Sequence, residues 1–142
     1  VFDANHNGGE PFTGPSLWSG NLAVFAEPSG GNGSHLDMVH TSPNSQGIAS
    51  ENGNIFWVFD GYNKDIVRYD FVDDHGPGND FHGDAIIHRY NDFQVTMDPN
   101  EKVPSHLVVS GEWVYVVDYG SQKIFRIEIG SGVWICAHFW TF

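Results

Sequence analysis

NIFWVFDGYNKDIVR, at residues 54–68, recurs without a gap as EWVYVVDYGSQKIFR at residues 112–126. Asp60 matches Asp118 and Arg68 matches Arg126, at an offset of about 58 residues. A repeat unit of this kind cannot bury its apolar faces alone, so each copy needs a neighbour to pack against. The sequence therefore predicts a structure in which similar units are stacked.

Short apolar runs separated by Gly, Asn and Asp predict strands on both sides of the repeated phrase. The second run of each copy is apolar at nearly every position, which predicts that protein covers both of its faces. No helical period persists along the chain, so we expect an all-β fold. Each copy is predicted to be a four-stranded antiparallel meander, with strands at 47–49, 55–59, 66–71 and 85–90, and at 107–109, 113–117, 124–129 and 133–139.

Four-stranded units that are covered on both faces are typical of β-propeller blades, which makes an incomplete propeller ring the preferred prediction. A β-sandwich is the alternative, although it has no reason to repeat its sequence. The predicted units are an irregular lead-in at 1–16, a partial blade at 17–43 with strands at 22–26 and 36–40, a blade at 44–98 with an inserted Asp/His loop at 72–84, and a blade at 99–142.

Propellers close with about four to eight blades, more than this chain contains. We therefore expect the ring to be completed by further copies of the chain, a homo-oligomer in which a trimer would give about six blades, or by a longer protein. An apolar strand near the end of the chain, at 133–142, would otherwise be left uncovered.

Composition limits the classes of partner. The 142 residues carry a formal net charge of −12, from 18 acidic and 6 basic residues, so a phosphate backbone would be repelled and nucleic acid is not expected. No apolar run approaches the roughly 18 residues of a membrane-spanning helix. Cys136 is the single cysteine, which prevents an intrachain disulfide. The acidic balance suits a soluble protein, with an extracytoplasmic compartment among the options left open.

The segments VFDGYNKDIVR at 58–68 and VVDYGSQKIFR at 116–126 resemble the V-x-D-x-x-N-x-R-I core of NHL-repeat β-propellers. The resemblance covers about half of the chain and implies blades rather than an activity. Similar propellers include peptidylglycine amidating lyases, whose metal is held by histidines near the central axis. His106 resembles one of those histidines. The resemblance therefore implies, as an alternative function, a metal-dependent lyase or hydrolase that uses His40 and His106.

One mouth of the propeller channel is the predicted ligand-binding site, because the connections entering the innermost strands and the turns after the second strands share one face. The candidates there are His40, Asp60, Tyr62, His106, Asp118 and Tyr119. Tyr62, Tyr119 and Trp113 are candidate stacking platforms for a small molecule, a glycan or a protein. For Asp60 and Asp118 a structural role is also open, in which each carboxylate accepts N–H bonds from the turn that follows its strand.

The loop at 72–84 is the candidate metal site. His75, Asp80, His82 and Asp84 are the predicted ligands, since carboxylates suit Ca²⁺ and imidazoles suit Zn²⁺. In the alternative interpretation, Asp and Asn cap turns and His faces water. The sequence contains no G-x-S-x-G, phosphate-binding or H-E-x-x-H motif. We therefore predict a binding or assembly module. We also expect the two repeated arginines, Arg68 and Arg126, to pair with acceptors on the neighbouring blade.

Overall fold

The computed structural model describes residues 16–25, 34–42, 44–74, 76–77, 85–92, 94–100, 103–131 and 133–138. Its elements are β1 (Ser16–Leu17), α1 (Leu22–Phe25), β2 (Asp37–Met38), β3 (Ser45–Asn52), β4 (Ile55–Asp60), β5 (Asp65–Asp70), β6 (Ile86–Tyr90), β7 (His106–Ser110), β8 (Trp113–Asp118), β9 (Lys123–Glu128) and β10 (Trp134–His138). The predicted all-β class is confirmed. The lead-in before residue 16 and most of the Asp/His loop at 72–84 lie outside the described residues.

Two antiparallel meanders make up most of the fold. Strands β3 to β6 form the first sheet and β7 to β10 the second, each paired in chain order, while β1 and β2 form a separate two-stranded ribbon. The repeated phrase forms the β4–β5 hairpin in the first sheet and the β8–β9 hairpin in the second. The turns repeat as well, because φ is positive at Lys64 (62°) and Gln122 (56°), and also at Gly53 (49°) and Gly111 (60°). The sequence repeat is therefore a repeat of backbone conformation.

Successive side chains of a strand point to opposite faces, so the repeat gives each sheet two corresponding faces. We call the face that bears Trp57 in the first sheet, and Tyr115 in the second, the front face. The back face bears Val58 in the first sheet and Val116 in the second.

The main core lies between the front face of the first sheet and the back face of the second. Its buried residues are Trp57, Phe59, Ile66, Leu107, Val114, Val116, Phe125 and Ile127, together with Val95 of the connection between the sheets. A second core lies on the back face of the first sheet, where Val58, Val67, Tyr69 and Phe71 pack with Val39, and Leu17 of the ribbon packs against them. Protein therefore covers both faces of β4, as its continuous apolar run predicts.

The front face of the second sheet differs from this prediction. Strand β8 buries only alternate residues, Val114, Val116 and Asp118, whereas Val117 is 45% exposed and Tyr115 is half-buried. Neither of the two cores includes a side chain of this face, and Ile48 of β3 lines an open groove beside it. The expectation that β8 is covered on both sides is met here on its back face only.

The predicted strand at 22–26 is wrong, since Leu22–Phe25 forms the single turn of helix α1. Asn21 favours this turn, because its Oδ1 accepts the Ala23 N–H at 3.0 Å and its carbonyl accepts the Phe25 N–H at 2.9 Å. The local cap outweighs the β propensity of the short apolar run. In the described part of the chain, no helix has the length and apolar character needed to cross a bilayer.

Candidate functional site

Most of the predicted ligand-binding residues lie at one end of the two sheets, where β3 and β7 begin and β4 and β8 end. The residues at this end are Asp60, Tyr62, His106, Asp118 and Tyr119, and His40 lies in the turn after β2. The first strands of the two sheets approach closely here, because a Cβ added to Gly47 would lie 3.0 Å from the His106 Cα atom. The fold thus brings the corresponding ends of the two repeat copies together.

Asp60 is completely buried and holds the turn between β4 and β5. Its Oδ1 accepts the N–H groups of Tyr62 and Asn63, both at 3.0 Å. Its Oδ2 accepts the Asn63 side-chain amide at 2.7 Å and Arg89 Nη1 at 3.1 Å. Four donors therefore occupy the carboxylate, which leaves it a structural part of this end of the sheet.

Asp118 is also completely buried, but it reaches outside its own turn. Oδ2 accepts the Ser121 hydroxyl at 2.7 Å and the backbone N–H of Thr96 at 2.8 Å. Thr96 belongs to the connection between the two sheets. Gly120 lies directly under this connection, since a Cβ there would lie 2.1 Å from the Thr96 carbonyl oxygen. Asp118 therefore fixes the connection to the second sheet.

An ion pair that was not anticipated from the sequence joins β5, β6 and the segment after β2. Arg89 Nη1 lies 2.8 Å and 2.9 Å from the two carboxylate oxygens of Asp65, and Nη2 donates to the carbonyl and the hydroxyl of Thr41. Burial raises the pKa of Asp65 even though Arg89 opposes the shift. Arg89 and Asp65 are 24 residues apart and belong to no motif, so only the strand pairing reveals them.

The segment after β2 is also hydrogen-bonded to the back face of the first sheet. The Tyr69 hydroxyl lies 2.8 Å from Thr41 Oγ1 and 2.7 Å from Ser42 Oγ. Burial raises the pKa of Tyr69, although both hydrogen bonds act in the opposite direction. The turn that carries His40 is therefore tied to the back face of the first sheet.

The two repeated arginines have different environments, and the expected pairing with a neighbouring blade is wrong for Arg68. Its Nε and Nη2 atoms each donate to Glu51 in the same sheet at 2.9 Å, and Trp57 Nε1 donates to the same carboxylate at 2.7 Å. The hydrogen bond from Arg68 lowers the pKa of Glu51 against the effect of burial. Arg126 instead lies over the Trp113 ring, 4.2 Å from its centre.

His106 is exposed, and its ring is engaged by the neighbouring backbone. Nδ1 lies 2.7 Å from the Leu107 nitrogen and 2.8 Å from the Leu107 carbonyl oxygen. Nδ1 can therefore accept from the N–H in one tautomer or donate to the carbonyl in the other. An open groove of about 400 Å³ beside it is largely apolar and is lined by Ile48, Val108, Tyr115 and Val117 among others.

Two exposed tyrosines follow the two buried aspartates. Tyr62 is 60% exposed and Tyr119 is 46% exposed. Both turns are held by hydrogen bonds, because the Tyr62 N–H donates to Asp60 and the Tyr119 N–H donates to Ser105 Oγ at 3.1 Å. Aromatic rings on turns with a fixed backbone are suited to stacking against a flat or apolar ligand surface.

The predicted metal ligands His75, Asp80, His82 and Asp84 lie outside the described residues. Within the described residues, no three His, Cys, Asp or Glu side chains are grouped in a way that could hold a metal ion. The metal prediction, whether for Ca²⁺ or Zn²⁺, therefore depends on the loop alone.

The front face of the second sheet carries the largest group of exposed apolar side chains on a single sheet face of the described structure. Val108, Val117 and Ile135 are between 44% and 57% exposed. Register puts Val108 beside Tyr115, and Tyr115 beside Arg126, which pairs with Ile135. These residues therefore share one face, and the sequence signal for it is the continuous apolar run of β8.

Comparison of the sequence with protein-family models and with curated proteins finds no match. What the fold defines is an all-β protein of stacked four-stranded antiparallel meanders. The resemblance to NHL repeats therefore rests on the two segments at 58–68 and 116–126.

Proposed function

We propose that this chain is a binding and assembly module of an NHL-like β-propeller ring, and that the front face of its second sheet receives the next layer of that ring. The repeat equivalence of the two front faces carries the proposal. Trp57 and Phe59 are completely buried against the second sheet, whereas their equivalents Tyr115 and Val117 are half-buried and 45% exposed. Covering such an apolar face stabilises an assembly, and leaving it in water favours aggregation.

Two sources of the covering layer satisfy this geometry, another copy of the chain or further repeats of a longer protein. Further repeats would present the back face of the next sheet, as happens once within the chain. In another copy both sheet back faces are already covered, so the layer at that end is the ribbon region. Repetition of the same contact around an axis closes a ring of blades.

Val117→Glu tests the role of the front face. The new charge would have to be desolvated on assembly, so we expect self-association at least tenfold weaker than that of the unmodified chain, measured by sedimentation equilibrium. Ile86→Glu is the matched control, since Ile86 is 63% exposed and lies on β6 of the other sheet. Equal association of the two variants would contradict the proposal.

The end that carries Tyr62 and Tyr119 is the proposed ligand surface. A glycan, a small molecule or a protein segment would stack on the exposed rings, while Asp60 and Asp118 keep the turns in place. A screen of the chain against an immobilised glycan array tests the first class, with the Tyr62→Ala/Tyr119→Ala double variant as the comparison. Signals that are unchanged in the double variant would exclude the tyrosines as the platform.

A further inference from the structure

A second apolar surface lies at the N-terminal side of the stack. Trp18, Leu22 and Phe25 are 41%, 79% and 49% exposed, and the rings of Trp18 and Phe25 are in edge-on contact with their centres 5.5 Å apart. We call these three residues the N-terminal cluster. Leu17, by contrast, packs inward against the core on the back face of the first sheet. The ribbon region thus has one apolar side that is covered and another that is exposed.

The layers of the molecule follow one order. The ribbon covers the back face of the first sheet, and the front face of the first sheet meets the back face of the second. The N-terminal cluster and the front face of the second sheet are therefore at opposite ends of the series of described layers. Each end exposes apolar side chains, and the residues at the two ends differ.

We propose that the occupant of the front face is a second copy of this chain, which docks by its N-terminal cluster. This inference rests on the proposed assembly function and adds the partner and its surface. The contact is head-to-tail, because two different surfaces of the same chain meet. It continues the layer order already present within one chain, in which the front face of the first sheet is followed by the second sheet. Such a contact closes a ring when its rotations sum to a full turn.

A front-to-front dimer is the competing arrangement. It would place the same side chains of two copies against each other across a twofold axis, including the Arg126 guanidinium that lies over Trp113. Like charges that meet in a contact are unfavourable, and the N-terminal cluster would then stay exposed. In the described residues the front face of one sheet meets the back of another, never a second front face.

A mixing experiment separates these arrangements. The front variant Val108→Glu/Val117→Glu blocks one surface, and the N-terminal variant Leu22→Glu/Phe25→Glu blocks the other. We expect each variant alone to remain at 15.8 kDa in sedimentation equilibrium. An equimolar mixture should form a species of twice that mass, because each variant keeps the surface that the other has lost. All substituted positions are exposed, and circular dichroism with urea unfolding verifies that both variants fold.

The outcomes separate this inference from the function on which it rests. If the N-terminal variant alone still associates while the front variant does not, the head-to-tail contact is wrong and the assembly role of the front face stands. If the mixture stays monomeric, the head-to-tail contact is wrong, and the comparison of the front variant with the unmodified chain decides the role of the front face. If the front variant associates like the unmodified chain, both are wrong. Should the front variant fail to fold, the single substitution Ile135→Glu, at a residue that is 44% exposed on the same face, replaces it in the mixture.

Discussion

Asp60 and Asp118 occupy the same position in the two repeat copies, yet outside its own turn each carboxylate binds a different neighbour. Besides the donors of its own turn, Asp60 accepts a hydrogen bond from Arg89. Asp118 accepts one from Thr96 of the connection between the sheets. Both carboxylates are completely buried and hydrogen-bonded. The geometry therefore favours the structural interpretation of these residues, and it leaves the exposed Tyr62 and Tyr119 as the side chains available to a ligand.

Replacing Asp60 by alanine should cost about 3–5 kcal/mol of unfolding free energy, because Arg89 and the turn N–H groups lose a buried acceptor. Tyr62→Ala is the matched variant at the same turn. Its side chain is 60% exposed, so we expect a change within about 0.5 kcal/mol. Urea unfolding of both variants measures the difference. Similar values for the two would show that Asp60 is not part of the framework.

Gly120→Ala tests the contact between the second sheet and the connection above it. The added Cβ would lie 2.1 Å from the Thr96 carbonyl oxygen and 2.2 Å from that of Met97, so the backbone would have to move. We expect a loss of about 1–3 kcal/mol or more in urea unfolding.

Gly130→Ala is the control for this substitution, since a Cβ at residue 130 meets nothing within 4 Å. We expect its stability to be unchanged within about 0.5 kcal/mol. An equal loss in the two variants would mean that the effect comes from the glycine backbone and not from the connection.

At the scale of elements, the hairpins could be predicted and the partners of single side chains could not. The 58-residue offset and the runs of apolar residues placed β4, β5, β8 and β9 correctly, because strand periodicity and turn residues are local signals. The helical turn at Leu22–Phe25 was missed, since it depends on a cap by Asn21. The Arg89–Asp65 pair was missed as well, because strand register and not sequence distance brings the two together.

For the candidate site too, the positions of the residues along the sheets could be predicted from the sequence, but the burial of their side chains could not. The strand order of a propeller predicts that Asp60, His106 and Asp118 lie at one end of the sheets, and the structure has them there. Strand order does not distinguish a buried capping side chain from an exposed one. That distinction depends on packing of the connection at 94–98, which has no pattern of its own.

The front face of the first sheet carries the ion pair between Arg68 and Glu51, and its contribution to stability depends on pH. Arg68 lowers the pKa of Glu51 below its usual value of 4.5 in the folded state, so the folded protein binds fewer protons than the unfolded chain near that pH. The stabilisation by Glu51 is therefore present above pH 4.5 and is lost as the pH falls through the folded-state pKa.

Glu51→Gln should lower the unfolding free energy by about 1–2 kcal/mol at neutral pH, and this difference from the unmodified chain should shrink as the pH falls below about 4.5. The raised pKa of Asp65 acts in the opposite direction, but it is common to both proteins and cancels in the difference. Urea unfolding across this pH range is the measurement. Arg68→Gln should show the same shrinking difference, whereas a difference that is constant with pH would exclude the ion pair as its source.

At the scale of the whole molecule, the described chain is a series of layers with an apolar surface at each end. The first sheet is covered on both faces, and the second is covered on its back face only. With a net charge of −12, copies of the chain repel one another at long range, so apolar burial must supply the association. Assembly of a ring therefore depends on the front face of the second sheet.

The mass of the unmodified chain in solution tests this claim most directly. Sedimentation equilibrium from about 1 µM to about 100 µM covers the range in which such a contact would form. We expect a mass that rises above 15.8 kDa with concentration and reaches a defined multiple of it. A single 15.8 kDa species at every concentration would contradict completion of the ring by copies of this chain.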